Sequence, residues 1–260
     1  MTDPRALADA LALSPALVWI ETPSNPLLRI TDLRFVIEAA HRAGALVVVD
    51  NTFLSPALQQ PIAFGADFVL HSTTKYINGH SDVVGGAVIA RDAGQHEQLV
   101  WWANALGLTG SPFDSFLTLR GLRTLDARLR VHQENTHALV ALLDAHPAVR
   151  TVHYPGLDSH PHAALARKQM RDAGTVVSFD LKNGSEAARR FSESLELFAL
   201  TASLGSTESL VMPPQLVGSR DFTPEQARQS GVGPGTVRLS IGLEDVDDLI
   251  ADIDRALGLC

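Results

Sequence analysis

The first ninety residues alternate short apolar runs with segments of helical spacing, and this alternation limits the folds that the chain can adopt. Residues 45–49 form a continuous apolar run, rich in valine, that leads directly into Asp50. A strand without polar alternation is typical of a parallel sheet that is covered on both faces. Further predicted strands occur at residues 17–20, 66–70 and 85–90. The pattern predicts an α/β fold with a mostly parallel, doubly wound sheet and with ligands at the carboxyl ends of its strands.

The chain changes character near residue 115. Apolar residues at helical spacing occupy residues 115–145 and predict a long helical stretch that Pro147 closes. Beyond it we predict strands at 175–181, 196–201 and 236–241, and helices at 185–194, 223–230 and 244–257. We therefore predict two domains, an incomplete large domain over residues 1–133 and a C-terminal α+β domain over residues 134–260.

Composition excludes several classes of partner. The 260 residues are 45% hydrophobic and carry a formal net charge of −8. Lysines and arginines form no stripe, so we expect no nucleic-acid partner. No apolar run is long enough to span a bilayer, and the N-terminus has no basic segment followed by an apolar one, so we expect no membrane partner. The single cysteine, Cys260, excludes a disulfide within the chain, and we expect a reducing, cytoplasmic location.

Lys75 follows the predicted strand at 66–70 and is the main candidate for chemistry. Ser72 and Thr74 alternate with it along the chain. A partly desolvated amine at a strand end is a candidate for forming a Schiff base with a carbonyl compound, and the two hydroxyl groups are suited to hold a phosphate beside it. The alternative is an ordinary solvated lysine in a turn.

Five segments carry a resemblance to a known family: residues 21–26, 49–56, 71–84, 121–125 and 237–245. In order and spacing they resemble the Cys/Met-metabolism family of pyridoxal phosphate-dependent enzymes of fold-type I, and within it the cystathionine γ-synthase branch most of all. The resemblance covers essentially the whole chain, but the chain begins about a third of the way into the family's length. It implies a fold-type I transferase-like domain, N-terminally truncated, without the family's backbone phosphate cradle and ring-stacking tyrosine.

The resemblance implies pyridoxal 5′-phosphate as the cofactor and assigns its contacts. Lys75 is implied as the catalytic lysine that holds the cofactor, and Asp50 as the carboxylate beside the pyridine nitrogen. Ser72 and Thr74 are implied as phosphate contacts, and Asn25 as the contact to the phenolic oxygen. On the residues alone, Asp50 also suits a helix cap and Asn25 a simple X-Pro turn.

The resemblance assigns substrate binding to Arg238 and Ser203. In the predicted strand, Val237 and Leu239 point one way and Arg238 the other. A guanidinium there matches the α-carboxylate of an amino acid bidentately. The alternative is a surface arginine on an edge strand.

The implied reaction is replacement of the γ-substituent of an O-acylhomoserine by cysteine, which gives cystathionine. Cystathionine γ-lyase, cystathionine β-lyase and methionine γ-lyase activities stay open, as does an inactive truncated homologue. Ala202 stands where γ-synthases usually carry Glu and β-lyases Tyr, and residues 212–219 also depart from most relatives. A homotetramer or dimer is implied by the resemblance.

Two other patterns have weak support. Ser72 and Lys75 fit the Ser-x-x-Lys pattern of penicillin-recognising hydrolases, but the motifs that accompany it are missing. His153, His160 and His162 lack a carboxylate or cysteine spacing that would complete a metal site, and we interpret them as loop histidines.

Overall fold

The structure, a computed structural model, describes residues 3–214 and 224–260. These residues divide into two compact units. Unit 1 comprises residues 3–24, 29–123 and 161–173, and unit 2 comprises residues 25–28, 124–160, 174–214 and 224–260. The domain boundary predicted after residue 133 lies inside one continuous helix, Leu125–Ala145, which belongs entirely to unit 2.

Helices and strands alternate along the chain. In order, the elements are α1 (Pro4–Leu11), β1 (Leu17–Glu21), α2 (Leu33–Arg42), β2 (Leu46–Asp50), α3 (Ser55–Leu58), a 3₁₀ turn (Pro61–Phe64), β3 (Phe68–Ser72), β4 (Gly86–Ala90), α4 (Ala93–Ala105), α5 (Pro112–Leu122), α6 (Leu125–Ala145), β5 (Val149–His153), α7 (Ala163–Gln169), β6 (Val176–Leu181), α8 (Gly184–Ser194), β7 (Ala199–Leu200), β8 (Leu210–Met212), α9 (Pro224–Ser230), β9 (Thr236–Ser240) and α10 (Val246–Leu257).

Several local predictions differ from the structure. The predicted strand at 196–201 is reduced to β7. His153 is not a loop residue but the last residue of β5. Thr223, the first residue of the predicted helix at 223–230, and most of the divergent 212–219 segment lie outside the described residues. Between β2 and β3 a short helix is followed by a separate 3₁₀ turn, because Pro61 cannot continue the helical hydrogen bonds.

Unit 1 is built on a four-stranded sheet in the order β1-β2-β3-β4. The first three strands are parallel, as predicted, whereas β4 runs antiparallel to β3. Helix α2 begins at Asp32, whose side chain accepts the Phe35 N–H at 3.0 Å. Its apolar face buries Val36 and Ile37 against the valines of β2. The two elements therefore form one core, because the apolar face of α2 packs against apolar residues of β2.

Asp67 fixes the start of β3 against its neighbours. Its buried carboxylate accepts hydrogen bonds from Val47 N, His41 Nε2 and an Arg91 guanidinium nitrogen, each at 2.8 Å. Burial acts to raise the pKa of Asp67, but these hydrogen bonds outweigh it and lower the pKa. A buried charge with three donors is stable where an unpaired one would not be.

Unit 2 is built on a five-stranded sheet in the order β5-β6-β9-β8-β7. All of its pairs are antiparallel except β7 with β8. Strand β9 is central, and all five of its residues are buried. Helix α6 packs on β5 and β6, α8 on β6 and β9, and α10 on both helices.

Two buried polar side chains of α6 hold the turn that follows β9. His132 Nδ1 donates to the carbonyl oxygen of Ile241 at 2.6 Å, and Asn135 Nδ2 donates to the carbonyls of Gly242 and Glu244 at 3.1 and 2.9 Å. Burial, with Arg128 nearby, lowers the pKa of His132 to about 4. The folded protein therefore keeps this imidazole neutral at physiological pH.

His132→Gln tests this anchor through the pH dependence of stability. Because the folded pKa of His132 lies below its unfolded value, the folded state is favoured most above pH 6.5 and loses stability as the pH falls toward 4. The loss is on the order of 3 kcal/mol in the wild type. We expect urea unfolding at pH 7.5 and 4.5 to show a clearly smaller loss in His132→Gln. The matched variant His137→Gln, in an exposed position of α6, is expected to keep the wild-type loss; equal behaviour of the two variants would contradict the assignment.

No helix in the described parts of the chain is long and apolar enough to cross a membrane.

Candidate active site

Lys75 lies in a compact turn directly after β3. Its backbone N–H donates to Ser72 at 3.2 Å, its carbonyl accepts from Gly79 at 2.7 Å, and Asn78 N donates to Thr73 at 2.9 Å. The Lys75 side chain is half-buried. The turn therefore holds the amine at the carboxyl end of β3, as the sequence predicts.

Asp50 lies at the carboxyl end of the neighbouring strand. It is the last residue of β2 and stands opposite Leu70 in the parallel register. Its Oδ1 accepts the Thr52 N–H at 2.9 Å, and Thr52 Oγ1 accepts the Ser72 N–H at 2.8 Å. The ends of the two strands are thus joined through Thr52, a residue that the sequence analysis did not identify.

His71 is a second residue that the sequence analysis missed. It precedes Ser72 in β3 and is 3% exposed. Burial lowers the pKa of His71, and the negative charge of Asp50 opposes that shift. His71 lies near Asp50 because β2 pairs with β3. No local sequence pattern around His71 predicts this pairing.

The two predicted phosphate contacts differ in their surroundings. Thr74 Oγ1 accepts the Gly85 N–H at 3.0 Å and donates to the Gly85 carbonyl at 3.3 Å, so it links the Lys75 turn to the start of β4. Ser72 is half-buried at the end of β3. Unit 1 therefore brings together Asp50, Ser72, Thr74 and Lys75 at one edge of its sheet.

Gly121 of α5 supports the Lys75 turn from behind. A Cβ atom at this position would lie 2.6 Å from the Ile77 carbonyl oxygen and 2.3 Å from that of Asn78. Such distances are far below van der Waals contact, so the helix and the turn touch only because residue 121 has no side chain.

Unit 2 brings together the other three predicted residues. Arg238 is 4% exposed, and its two terminal nitrogens donate to Asn25 Oδ1 at 3.0 Å and to the Ser203 carbonyl at 2.7 Å. Ser178, opposite Arg238 in β6, donates through its hydroxyl to the Pro26 carbonyl at 2.6 Å. The alternative of a surface arginine on an edge strand is wrong, because β9 is central and Arg238 is buried.

The side chains of unit 1 fit the groups of pyridoxal phosphate, because they offer an amine, a carboxylate and two hydroxyls at adjacent strand ends. Unit 2 offers an amide and a guanidinium whose directions are fixed by hydrogen bonds. Among the described residues there is no group of three or more His, Cys, Asp or Glu residues that could hold a metal ion.

The sequence model of the family described as "Cys/Met metabolism PLP-dependent enzyme" matches residues 1–258. The chain belongs to this family.

Individual relatives extend the likeness. The chain is 47% identical over 253 residues to cystathionine γ-synthase of Escherichia coli, covering 97% of this chain and 66% of that protein. It is 44% identical to cystathionine γ-lyase of Dictyostelium discoideum over 98% of this chain and 66% of that protein. The crystal structure of cystathionine γ-synthase from Xanthomonas oryzae in complex with aminoacrylate and cysteine superposes with a TM-score of 0.96 at 64% identity, covering 99% of this chain and 66% of that one.

These likenesses confirm the predicted fold class, a fold-type I pyridoxal phosphate-dependent enzyme with an α+β part. The chain spans 66% of the length of the curated relatives it matches.

Gly121→Ala tests the contact behind the Lys75 turn. Alanine is favoured over glycine in a helix by about 1 kcal/mol, but here the added methyl collides with backbone, so we expect a net loss of about 1–3 kcal/mol in the free energy of unfolding. Denaturant unfolding measures it. The control is Gly258→Ala, where φ is −63° and the nearest atom to an added Cβ lies at 3.4 Å. A Gly121→Ala variant as stable as this control would show that the contact is not tight.

Proposed function

We propose that this chain acts as a pyridoxal phosphate-dependent enzyme that replaces the acyloxy group of an O-acylhomoserine with the thiol of cysteine. The Cγ–O bond breaks, a Cγ–S bond forms, and cystathionine and a carboxylic acid are released. The observation that carries the proposal is the grouping of Lys75, Asp50 and the hydroxyls of Ser72 and Thr74 at adjacent strand ends of unit 1. Membership in the family supports it independently.

Each residue of unit 1 has a role in this proposal. Lys75 Nζ holds the cofactor and, once the substrate amine has displaced it, moves protons at the Cα and Cβ atoms of the substrate. Asp50 keeps the proton on the pyridine nitrogen, and Ser72 and Thr74 hold the phosphate. When bound, pyridoxal phosphate supplies an electron sink for the charge that develops at Cα.

Arg238 binds the α-carboxylate of the substrate in this proposal. A guanidinium presents a planar fork that matches a carboxylate, and its recognition is specific only when the fork is held in one orientation. The hydrogen bonds to Asn25 and to the Ser203 carbonyl provide that orientation. We assign Asn25 to the phenolic oxygen of the cofactor and Ser203 to the substrate carboxylate, beside Arg238.

γ-Replacement is favoured over elimination by similarity. Among the solved structures, the identity to the γ-synthase from Xanthomonas oryzae is 64%, against 46% to a γ-lyase from Micromonospora echinospora. Among the curated proteins, it is 47% to the γ-synthase from Escherichia coli, against 44% to the γ-lyase from Dictyostelium discoideum. A γ-, β- or methionine γ-lyase activity is the second candidate, because Ala202 departs from the Glu that γ-synthases usually carry. Incubation with O-acylhomoserine and cysteine, and separately with cystathionine or methionine alone, followed by quantification of cystathionine and of 2-oxo acids, distinguishes these reactions. If neither cystathionine nor a 2-oxo acid forms with any of these substrates, the result favours an inactive homologue.

Lys75→Ala tests the cofactor assignment. We expect the purified chain to develop a visible absorption band with pyridoxal phosphate, and borohydride reduction followed by peptide mapping to place the label on Lys75. The band is expected to vanish in Lys75→Ala, because this variant lacks the amine to which the cofactor is proposed to attach. The control, Lys168→Ala, removes an exposed lysine of α7 and is expected to keep the band. Labelling scattered over exposed lysines, or a band that survives in Lys75→Ala, would refute the assignment.

We propose further that a second copy of the chain covers an apolar surface of unit 1. No residue of α4 is buried, although the structure describes the whole helix. Trp101, Leu108 and Phe113 are 61%, 71% and 68% exposed, and further large apolar side chains of α4 and α5 are exposed with them. So many large apolar side chains exposed along two successive helices favour a surface that another subunit covers. A cytoplasmic location stays a prediction.

The double variant Trp101→Glu with Phe113→Glu tests the interface. Light scattering during size exclusion is expected to give the wild type at least twice the 27.9 kDa mass of one chain, and the double variant a mass close to one chain at the same concentration. Charges placed in an apolar interface are costly to bury. The control is Leu13→Glu, a residue 83% exposed near the end of α1, which is expected to leave the mass unchanged. A monomeric wild type would end this proposal.

A further inference from the structure

Residues 203–209 form a segment without helix or strand, so hydrogen bonds to other elements set its path. At one end the Ser203 carbonyl accepts from Arg238 at 2.7 Å. In the middle, Gly205 N donates to Ser240 Oγ at 2.8 Å, and the Thr207 carbonyl accepts from Leu243 N at 2.8 Å. The 203–209 segment is therefore held against β9 and the turn that follows it.

Glu244 holds the other end of this segment. Its Oε1 accepts the Ser209 N–H at 2.6 Å, and its Oε2 accepts the Ser209 hydroxyl at 2.8 Å. The Ser209 hydroxyl in turn accepts the Gly242 N–H at 2.8 Å. Ser209 is 0% exposed, so water cannot replace these contacts, and hydrogen bonds to a carboxylate are among the stronger ones.

Gly242 allows the segment and the carboxylate to approach this closely. A Cβ atom on Gly242 would lie 2.5 Å from the Thr207 carbonyl oxygen and 2.6 Å from Ser209 N. The same Cβ would lie within 2.3 Å of Glu244 Oε2. The segment thus lies directly on the backbone of the turn, and a side chain at position 242 would displace it.

Side chains of α6 hold the turn that follows β9. His132 binds the Ile241 carbonyl, and Asn135 binds the carbonyls of Gly242 and Glu244. Glu244 is therefore placed by its own backbone as well as by its side chain. Glu244 therefore connects α6, which binds its backbone, to the 203–209 segment, which its side chain binds.

We propose that Glu244 is a positioning residue for substrate binding. By holding Ser209 it fixes the 203–209 segment, and through that segment it fixes the Ser203 carbonyl that orients the Arg238 guanidinium. The inference rests on the proposed function in one respect, the role of Arg238 and Ser203 in binding the substrate carboxylate. Glu244 contributes to the affinity for the amino-acid substrate and leaves cofactor attachment at Lys75 to unit 1.

Steady-state kinetics of Glu244→Ala tests this role. We expect KM for the O-acylhomoserine to rise about tenfold, because the hydrogen bond between Arg238 and the Ser203 carbonyl is lost and one hydrogen bond to a charged group corresponds to about this factor. We expect kcat and the affinity for pyridoxal phosphate to change less than twofold. Glu244→Gln is expected to recover part of the loss, because its amide oxygen still accepts the Ser209 N–H. The control is Asp248→Ala, which removes an exposed carboxylate in the first turn of α10.

Amide hydrogen exchange on the same variants needs neither cofactor nor turnover. In Glu244→Ala the amides of Gly205, Ser209 and Leu243 are expected to exchange at least tenfold faster than in the wild type, with an intermediate rate in Glu244→Gln. Unchanged exchange in Glu244→Ala overturns the inference, and so does a loss of kcat and cofactor affinity with KM unchanged. If the wild type binds no pyridoxal phosphate and has no turnover, the proposed function fails, and the exchange rates alone decide whether Glu244 positions the segment.

Discussion

The parallel register between β2 and β3 is the constraint on which the proposed cofactor-binding residues depend. It places Asp50 opposite Leu70, so Asp50 and the turn that carries Lys75 leave the sheet at the same edge. The register is secured at both ends, by the Asp67 carboxylate on Val47 N at the start of β3 and by Thr52 on Ser72 N at its end. A slip of one residue would turn every side chain of β3 to the opposite face, and these two contacts oppose it.

In unit 2 the geometry is transmitted from a helix outward. Helix α6 fixes the turn after β9, the turn fixes the 203–209 segment, and Arg238 joins the start of that segment to Asn25. Each step is a buried or part-buried polar contact, and such contacts are costly to break without replacement where water is excluded. A series of satisfied polar groups therefore defines one position for the guanidinium, which apolar packing alone would define less sharply.

The sequence predicted what local pattern determines. Strands β1 to β3 were predictable because each begins with at least three consecutive apolar residues, and their carboxyl ends located Asp50 and Lys75. Thr52, His132 and Glu244 were missed because their partners lie 20, 109 and 35 residues away, a separation at which no periodic signal survives. Arg238 suggested an exposed strand face, yet that face is covered by residues 25–28 and by the 203–209 segment, neither of which has a strand or helix pattern.

Residue 202 shows how this arrangement separates binding from the choice of reaction. Ala202 is exposed, and it immediately precedes Ser203, whose carbonyl is held by Arg238. Because the contact to Arg238 is made by backbone, the side chain at position 202 can be exchanged without loss of the hydrogen bond that orients the guanidinium. A methyl group neither accepts nor donates a proton, so any proton transfer that a Glu at this position would perform has to fall to another group. Under the proposed function, carboxylate recognition by Arg238 and the choice of reaction at position 202 can therefore change independently, although Ala202 and Ser203 are adjacent in the chain.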